Sequence, residues 1–393
     1  MARVFTGAER VAGDPRLLGD GRFGLVTNFT GVMPDLSRNV DALLAAGVSI
    51  TALFGPEHGL RGTVQAGLTE AAEFDAHTGL PLFETYLAAD DELDARVEAS
   101  GVDALVFDMQ DIGVRFYTYI WTMYDCMRSA ARTGIQFIVL DRPNPLGGLA
   151  VEGPGVDAAF ESFVGRANVP IRHGLTVGEL ARHVNERVLP TIEGRSADLN
   201  VVRMDGWTRQ MLFDGTGLEW VAPSPNMPTV DTAFVFAGTG LLEGTNVSEG
   251  RGTTRPFEVI GAPYIDSGLI GELRKRELPG VLFREVWYVP TFHKYAGETL
   301  RGVQVHVTDR RAYDPVRCGV IVLDTIARLY PDDFRFLAPA EGTDELERRF
   351  AIDRLWGSDR LRVTIESGGD PLGLVLPTAS PDTVYPDAAL LYR

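Results

Sequence analysis

Val102-Asp-Ala-Leu-Val-Phe-Asp-Met-Gln-Asp-Ile-Gly-Val-Arg-Phe-Tyr-Thr118 opens as an apolar run and stops abruptly at Asp108, Gln110 and Asp111. Leu105, Val106 and Phe107 suit a strand buried on both faces, as in the middle of a parallel sheet. Two carboxylates, an amide and Arg115 do not suit a core. A buried strand that ends in polar groups delivers them to one place, so its tip reads as a site.

Outward from that tip the alternation repeats. Residues 22–28 read as a strand, 40–46 as a helix and 48–54 as a second strand. Residues 91–99 are helical, 119–133 form a helix with Met123, Met127 and Ala130 on one face, and 136–140 form another strand. Strands alternating with helices imply a parallel sheet with right-handed crossovers. The expected class is α/β, a Rossmann-like doubly wound, mostly parallel sheet. Ligands in such sheets lie beyond the carboxyl ends of the strands. Four strand ends are polar there: Thr27-Asn28, Gly55-Pro-Glu57-His58-Gly59, Asp108-Met-Gln110-Asp111 and Asp141-Arg142-Pro-Asn144-Pro145.

Past residue 160 the texture changes. Ser162-Phe-Val-Gly165 and Pro170-Ile-Arg172-His173-Gly174 precede a helix over 177–188. Thr176 and Glu179 form the Thr-x-x-Glu capping box that opens it, and capping engages the Glu179 carboxylate. A strand over 199–204 leads to the irregular stretch 215–228. Its Trp220 and Asn226 are candidates to line a pocket, because a Pro- and Gly-rich loop inside a compact chain is more often functional than a spacer. The apolar run 232–237 leads to a second polar concentration on a glycine-rich backbone, with Glu243, Asn246, Glu249 and Arg251. A helix over 269–277, strands over 281–289 and 302–307 and a helix over 316–330 follow. The expected division is a Rossmann-like domain over 1–260 and a smaller α+β domain over 261–393.

With 393 residues and 45% hydrophobic composition, the chain can bury a large core, and two domains are the default at this length. Basic residues number 37 against 54 acidic, a net charge of −17. That balance argues against nucleic acid, whose binding depends on clustered cations. A small-molecule or oligosaccharide ligand is expected instead. The basic residues are almost all arginine, with lysine at Lys275 and Lys294, so a lone arginine says little about function. Cys126 and Cys318 lie far apart in helix-like segments and read as reduced structural thiols rather than a disulfide or zinc site. The N-terminus lacks the apolar region of a signal peptide, and no run reaches the length of a membrane span. The expectation is a cytoplasmic protein without membrane contact; a homodimer is left open.

Several motifs are missing: the Gly-x-x-x-x-Gly-Lys phosphate loop, the Gly-x-Ser-x-Gly elbow and the His-Glu-x-x-His metal pair. Gly238-Thr-Gly240-Leu-Leu-Glu-Gly244 places its third glycine one residue late for dinucleotide binding. No cofactor loop is evident. Glu57 stands out, held on a tight turn between Pro56 and His58 and flanked by Gly55 and Gly59; the alternative is that it caps the next element or pairs with Arg61. Asp108 and Asp111 are either catalytic or paired with Arg115 and Arg142. Tyr117 and Tyr119 read as packed aromatics with bonded hydroxyls, although an aromatic wall would suit a sugar ring. Carboxylates, amides and arginines without an evident nucleophilic serine or thiol suit glycoside hydrolysis. There, one carboxylic acid protonates the leaving oxygen and a second group acts as nucleophile or base.

Phe54-Gly-Pro-Glu-His-Gly59, Phe107-Asp-Met-Gln-Asp-Ile-Gly-Val-Arg-Phe-Tyr-Thr-Tyr119, Leu140-Asp-Arg-Pro-Asn-Pro145, Val151-Glu-Gly-Pro154, His173-Gly, Pro223-Ser-Pro-Asn-Met-Pro228 and Glu243-Gly-Thr-Asn-Val-Ser-Glu-Gly-Arg-Gly-Thr-Thr254 together resemble the NamZ family of exo-β-N-acetylmuramidases. The likeness covers nearly the whole chain. It implies removal of N-acetylmuramic acid from the non-reducing end of peptidoglycan fragments, with Glu57 as general acid and a second carboxylate among Asp108, Asp111, Glu152 and Glu249. The substrate's acetamido group is the alternative second participant. The same likeness implies a cleft that the smaller domain closes, and neither metal nor nucleotide cofactor. The sugar's lactyl carboxylate needs a cation, with Arg115, Arg142 and Arg251 as candidates. Asn28, His58, Gln110, Tyr117, Asn144, His173, Asn226, Glu243 and Asn246 complete the expected substrate-binding set. Two other classes compete: a metal-dependent amidohydrolase using His58, Asp108 and His173, and a non-catalytic muropeptide-binding protein.

Overall fold

A computed structural model describes residues 3–62, 73–88, 90–339 and 349–393. Six strands, β1 (Phe23–Thr27), β2 (Ile50–Gly55), β3 (Leu82–Glu84), β4 (Ala104–Asp108), β5 (Gln136–Leu140) and β6 (Asp198–Val202), form one sheet in the order β3-β2-β1-β4-β5-β6. Every neighbouring pair is parallel. This is the doubly wound order. β1 and β4 are buried at every residue, which is why they read as unbroken apolar runs.

The connecting helices are α1 (Gly7–Gly13), before β1, then α2 (Asn39–Ala45), α3 (Asp90–Ser100), α4 (Tyr119–Thr133), α5 (Val177–His183) and α6 (Leu189–Ile192). The helix read over 177–188 is regular only as α5, capping box included, and Val184–Val188 winds on as a π turn. α4 ends at Gly134, whose φ of 76° lets its N–H reach back to the Ala130 carbonyl.

Register puts the strand ends on one rim. Val26 lies opposite both Phe54 and Phe107, and Thr27 opposite Asp108. Glu57 and Asp108 therefore leave the sheet at the same end, two strands apart, as expected.

The second layer is a three-stranded antiparallel sheet, β7 (Val259–Ala262), β8 (Val281–Tyr288) and β9 (Leu300–Val307), in the order β7-β9-β8. α7 (Val230–Thr239), α8 (Ser267–Arg274) and α9 (Pro315–Leu329) accompany it. The apolar run 232–237 lies inside α7. That helix meets α9 where Gly238 faces Gly319, and a Cβ on Gly238 would come within 1.9 Å of the Pro315 carbonyl oxygen. The two backbones touch only because neither residue has a side chain.

The chain end returns to the first sheet. The Tyr392 hydroxyl donates to Asp141 Oδ2 at 2.6 Å, and the Leu391 N–H donates to Glu179 Oε1 at 2.8 Å. Glu179 thus caps α5 and also anchors the C-terminal strap. Cys126 and Cys318 are free and buried, and burial pushes both thiols up. Among the described residues no helix is long and apolar enough to cross a membrane.

Candidate functional site

The turn after β2 places Glu57. Gly59 N–H donates to the Pro56 carbonyl at 3.0 Å, and His58 at φ 71° and Gly59 at φ 73° bend the chain sharply. Left-handed backbone at a histidine is a strained choice that the surrounding fold must hold. Glu57 is 7% exposed. Thr118 occupies the N-cap of α4 but makes no capping bond there; its hydroxyl donates to Glu57 Oε2 at 2.5 Å. A residue that would ordinarily serve the helix serves the carboxylate instead.

Glu57 and His58 open onto a cleft of about 220 Å3. Its polar lining is completed by Thr118, Ser224, Asn226, Glu243 and Arg251. Aromatic rings form much of the wall. Phe236 meets Phe116 edge-on at 5.0 Å and Phe257 at 4.5 Å, and Tyr86 meets Phe163 at 5.2 Å near the turn. Tyr117, also lining the cleft, packs edge-on against Tyr119, whose hydroxyl donates to the Pro223 carbonyl at 2.6 Å. A polar floor with aromatic sides is the surface that sugars recruit.

A second charged group lines the same cleft. Glu243 Oε1 accepts from Arg251 Nε at 2.9 Å and Nη2 at 2.5 Å. Behind it Glu249 is fully buried, with Lys294 Nζ at 2.8 Å, His293 Nδ1 at 3.1 Å and Arg251 Nε at 3.5 Å. Burial pushes the Glu249 carboxyl up, but His293 and Lys294 outweigh it and hold it down at about 2. Burial also works against the Arg251 cation, yet Glu243, Glu249 and Glu57 together raise its pKa.

Of the expected site residues, Glu57, His58, Tyr117, Asn226, Glu243 and Arg251 gather at this cleft. The others are bonded elsewhere. Asp108, expected as catalytic, has no exposure; its carboxylate accepts from Arg142 Nε at 2.6 Å and Nη2 at 2.9 Å and from Asn39 Nδ2 at 2.8 Å. Asp111 Oδ2 accepts from the Gly113 N–H at 2.7 Å and meets His173 Nε2 at 3.1 Å. His173 Nδ1 accepts from the Leu175 N–H, so its proton sits on Nε2, toward Asp111. Glu152 is tied to Arg172 at 2.5 Å.

The amides and Arg115 brace the backbone. Asn28 Oδ1 accepts from Thr30, Gln110 Nε2 donates to the Asp111 and Pro143 carbonyls, and Asn144 links Leu146 to Leu175. Asn246 joins Asp333, Tyr264 and Arg335. Arg115 donates to the carbonyls of Pro154, Val169 and Leu355 and has no carboxylate partner among the described residues. Trp220 does not line the cleft; its indole N–H donates to the Met227 carbonyl at 3.2 Å and pins the 223–228 loop that presents Asn226.

The wall residues Phe116, Phe163, Phe236 and Phe257 and the braces Thr118, His293 and Lys294 are additions the sequence did not single out. Aromatic residues in apolar runs read as core by default, so the walls left no signal. Lys294 did leave one: it is one of two lysines in a chain that otherwise uses arginine. Among the described residues no three His, Cys, Asp or Glu side chains gather as metal ligands. His58, Asp108 and His173 have the separate surroundings given above.

Comparison with known proteins bears on this cleft. The family model for the N-terminal part of exo-β-N-acetylmuramidase NamZ matches residues 23–231, and that for the C-terminal part matches residues 234–375. The peptidoglycan β-N-acetylmuramidase NamZ of Bacillus subtilis (strain 168) is 45% identical over 369 residues, 93% of this chain and 85% of that protein. A crystal structure of a DUF1343 family protein from Bacteroides fragilis superposes with a TM-score of 0.81 at 36% identity, covering 93% of this chain and 92% of the other. A second such protein from the same organism gives 0.71 at 28% identity, over 94% and 92%.

Proposed function

The chain belongs to the NamZ family of exo-β-N-acetylmuramidases, and we propose that its cleft takes the terminal N-acetylmuramic acid of a peptidoglycan fragment, with Glu57 donating the proton to the leaving oxygen. The enzyme is a glycosidase acting on peptidoglycan. What carries the mechanistic reading is one observation: Glu57 and the Glu243–Arg251 pair face a single aromatic-walled cleft, while Asp108, Asp111, Glu152 and Glu249 are engaged inside the fold.

In the reaction the bond between the anomeric carbon and the glycosidic oxygen breaks. Its electron pair leaves on that oxygen, which Glu57 protonates, and water supplies the new hydroxyl on the sugar. Positive charge develops at the anomeric carbon. Glu243 is the carboxylate lining the same cleft that can face it, and the substrate's acetamido oxygen is the alternative partner. Arg251 is the one of the three proposed arginines that lines the cleft, so we assign it the lactyl carboxylate; Arg115 and Arg142 are committed to carbonyls and to Asp108. We also draw the boundary between the two units before α7, ahead of residue 260, because that helix packs on α9 and carries Phe236 to the cleft.

The test is release of free sugar. Purified enzyme should liberate N-acetylmuramic acid from nitrophenyl β-N-acetylmuramide and from a muramic acid-terminated disaccharide, without added metal and after exhaustive chelation. Binding without release would make the protein a muropeptide sensor, and loss of activity on chelation would restore the amidohydrolase-like reading.

A further inference from the structure

We propose that Lys294 is a positioning residue for substrate selection: by holding Glu249, it leaves Arg251 available to the acidic lactyl group of N-acetylmuramic acid. The inference rests on the reading of Arg251 as the lactyl anchor.

The first observation is the choice of lysine. Lys275, the other lysine, is an exposed surface residue paired with Glu272, whereas Lys294 is mostly buried. Its ammonium donates to the Leu242 carbonyl at 3.0 Å, the Val247 carbonyl at 3.0 Å and Glu249 Oε2 at 2.8 Å, with the Glu243 carbonyl at 3.3 Å. An ammonium aims three N–H groups at acceptors converging from different directions, and a planar guanidinium cannot. The acceptors come from both ends of the 242–249 loop, so this one cation folds the loop that presents Glu243 and leads into Arg251. The lysine's own segment is also tied just past that loop, since the Thr291 N–H donates to the Gly252 carbonyl at 2.9 Å.

The second observation is the competition for Arg251. Its Nε and Nη2 are spent on Glu243 Oε1, and its guanidinium lies over the Phe257 ring at 5.1 Å. Nη1 makes no hydrogen bond to protein among the described residues. Glu249 Oε1 is only 3.5 Å from Arg251 Nε and is shared with His293 Nδ1 at 3.1 Å. The carboxylates Glu243 and Glu249 are balanced by Arg251 and Lys294. Without Lys294, a fully buried carboxylate would turn to its next cation, and Arg251 would be drawn from the cleft. His293, half-exposed and held at φ 70°, assists but supplies a full charge only when protonated.

The experiment measures binding of N-acetylmuramic acid and of N-acetylglucosamine, which lacks the lactyl ether, to wild type and to Lys294→Met, Lys294→Arg, Arg251→Met and the Lys294→Met/Arg251→Met double variant. Nitrophenyl muramide kinetics accompany it. Wild type should prefer the muramic sugar. Lys294→Met should cut that preference about tenfold and raise KM with kcat within a few-fold, the size expected for one charge-assisted contact. Lys294→Arg, which keeps the charge and is the variant of choice if Lys294→Met does not fold, should also lower the preference, because the fork cannot meet the three acceptors. On the Arg251→Met background, Lys294→Met should add little, since the two share one function. Full preference in both Lys294 variants, or a loss that adds fully to that of Arg251→Met, overturns the positioning role while leaving the lactyl reading intact. Full preference in Arg251→Met overturns the lactyl reading itself.

Discussion

Asp108 and Glu57 leave one parallel sheet at the same rim, both buried and both beside a hydroxyl or amide donor, yet their surroundings differ in kind. Around Asp108 the charges close on one another: Arg142 covers both carboxylate oxygens and Asn39 adds a third donor, while Asp111 pairs with His173 through Oδ2 alone. Around Glu57 the same rim opens into a cleft, whose lining also carries the Glu243–Arg251 pair. The ligand crevice of a doubly wound sheet is expected where the strand order reverses, here between β1 and β4. In this protein that place holds the Asp108–Arg142 pair, and the cleft instead joins the turn after β2 to Phe116, Tyr117 and Thr118 in the segment after β4. A polar strand end is therefore a scaffold or a site according to whether it is sealed inside the fold or opens onto a cleft.

The sharpest way to break the contrast is to neutralise each carboxylate in turn. Glu57→Gln should lower kcat on nitrophenyl muramide by roughly 10³-fold or more, near the upper range for a general acid, with an unchanged melting temperature. Asp108→Asn should do the reverse. It leaves a buried Arg142 half-paired and should cost about 3–5 kcal/mol of unfolding free energy in a denaturant titration, with kcat of the folded protein within a few-fold of wild type. Equal kinetic losses in the two variants would merge the regions into one site.

This contrast was only partly legible in the sequence. The sheet could be read because its central strands are buried on both faces and so appear as unbroken apolar runs. β3, three half-buried residues at the edge, and β7, four residues long, left no such trace. Glu57 could be singled out because Gly55, Pro56 and Gly59 announce a turn right after a buried strand. The idleness or engagement of the other carboxylates could not be read, because their partners are remote in the chain: Arg142 for Asp108, Arg172 for Glu152, Lys294 for Glu249. Composition reveals that arginines abound but not which carboxylate each one closes. The Tyr86–Phe163 and Phe236–Phe257 pairs likewise join stretches that no local pattern connects.

Two buried glutamates extend the contrast to pH. Glu152 has one cation, Arg172; burial and the neighbouring Asp314 carboxylate push its carboxyl up to about 7. A folded-state value raised above the ordinary 4.5 means that the folded chain holds the extra proton, so this contribution is full below pH 4.5 and is lost as pH rises through 7. Glu249, with two cations and a histidine, is held at about 2, so its contribution is present above pH 4.5 and is lost as pH falls toward 2. Each swing is of order 3 kcal/mol at most. Chemical denaturation across this range should show stability rising from acid to about pH 4.5 and falling toward neutral through these two groups. Glu152→Gln should reduce the neutral limb, to which buried Asp125 and Asp141 also contribute, and Glu249→Gln the acid limb, which Arg38-paired Asp75 shares. A Glu152→Gln variant that keeps the full neutral slope would mean that Arg172 alone holds Glu152 ionised.

The smallest expected effect separates the regions at single hydroxyls. Thr118 and Thr176 both stand at helix N-caps, but only Thr176 caps: it accepts from the Glu179 N–H at 3.2 Å and donates to Asp141 at 2.9 Å. Thr118 gives its hydroxyl to Glu57. Thr176→Val should cost about 1–2 kcal/mol of stability, as lost caps do, and leave kcat unchanged. Thr118→Val removes no cap, so the melting temperature should hold, while one hydrogen bond to the proposed acid is lost. A bond to a charged group contributes about 1.5–3 kcal/mol, so kcat should fall about tenfold or somewhat more with KM unchanged. If Thr118→Val instead destabilises the fold and spares kcat, its hydroxyl belongs to the scaffold, and the open half of the rim has lost the contact that distinguishes Glu57 from Asp108.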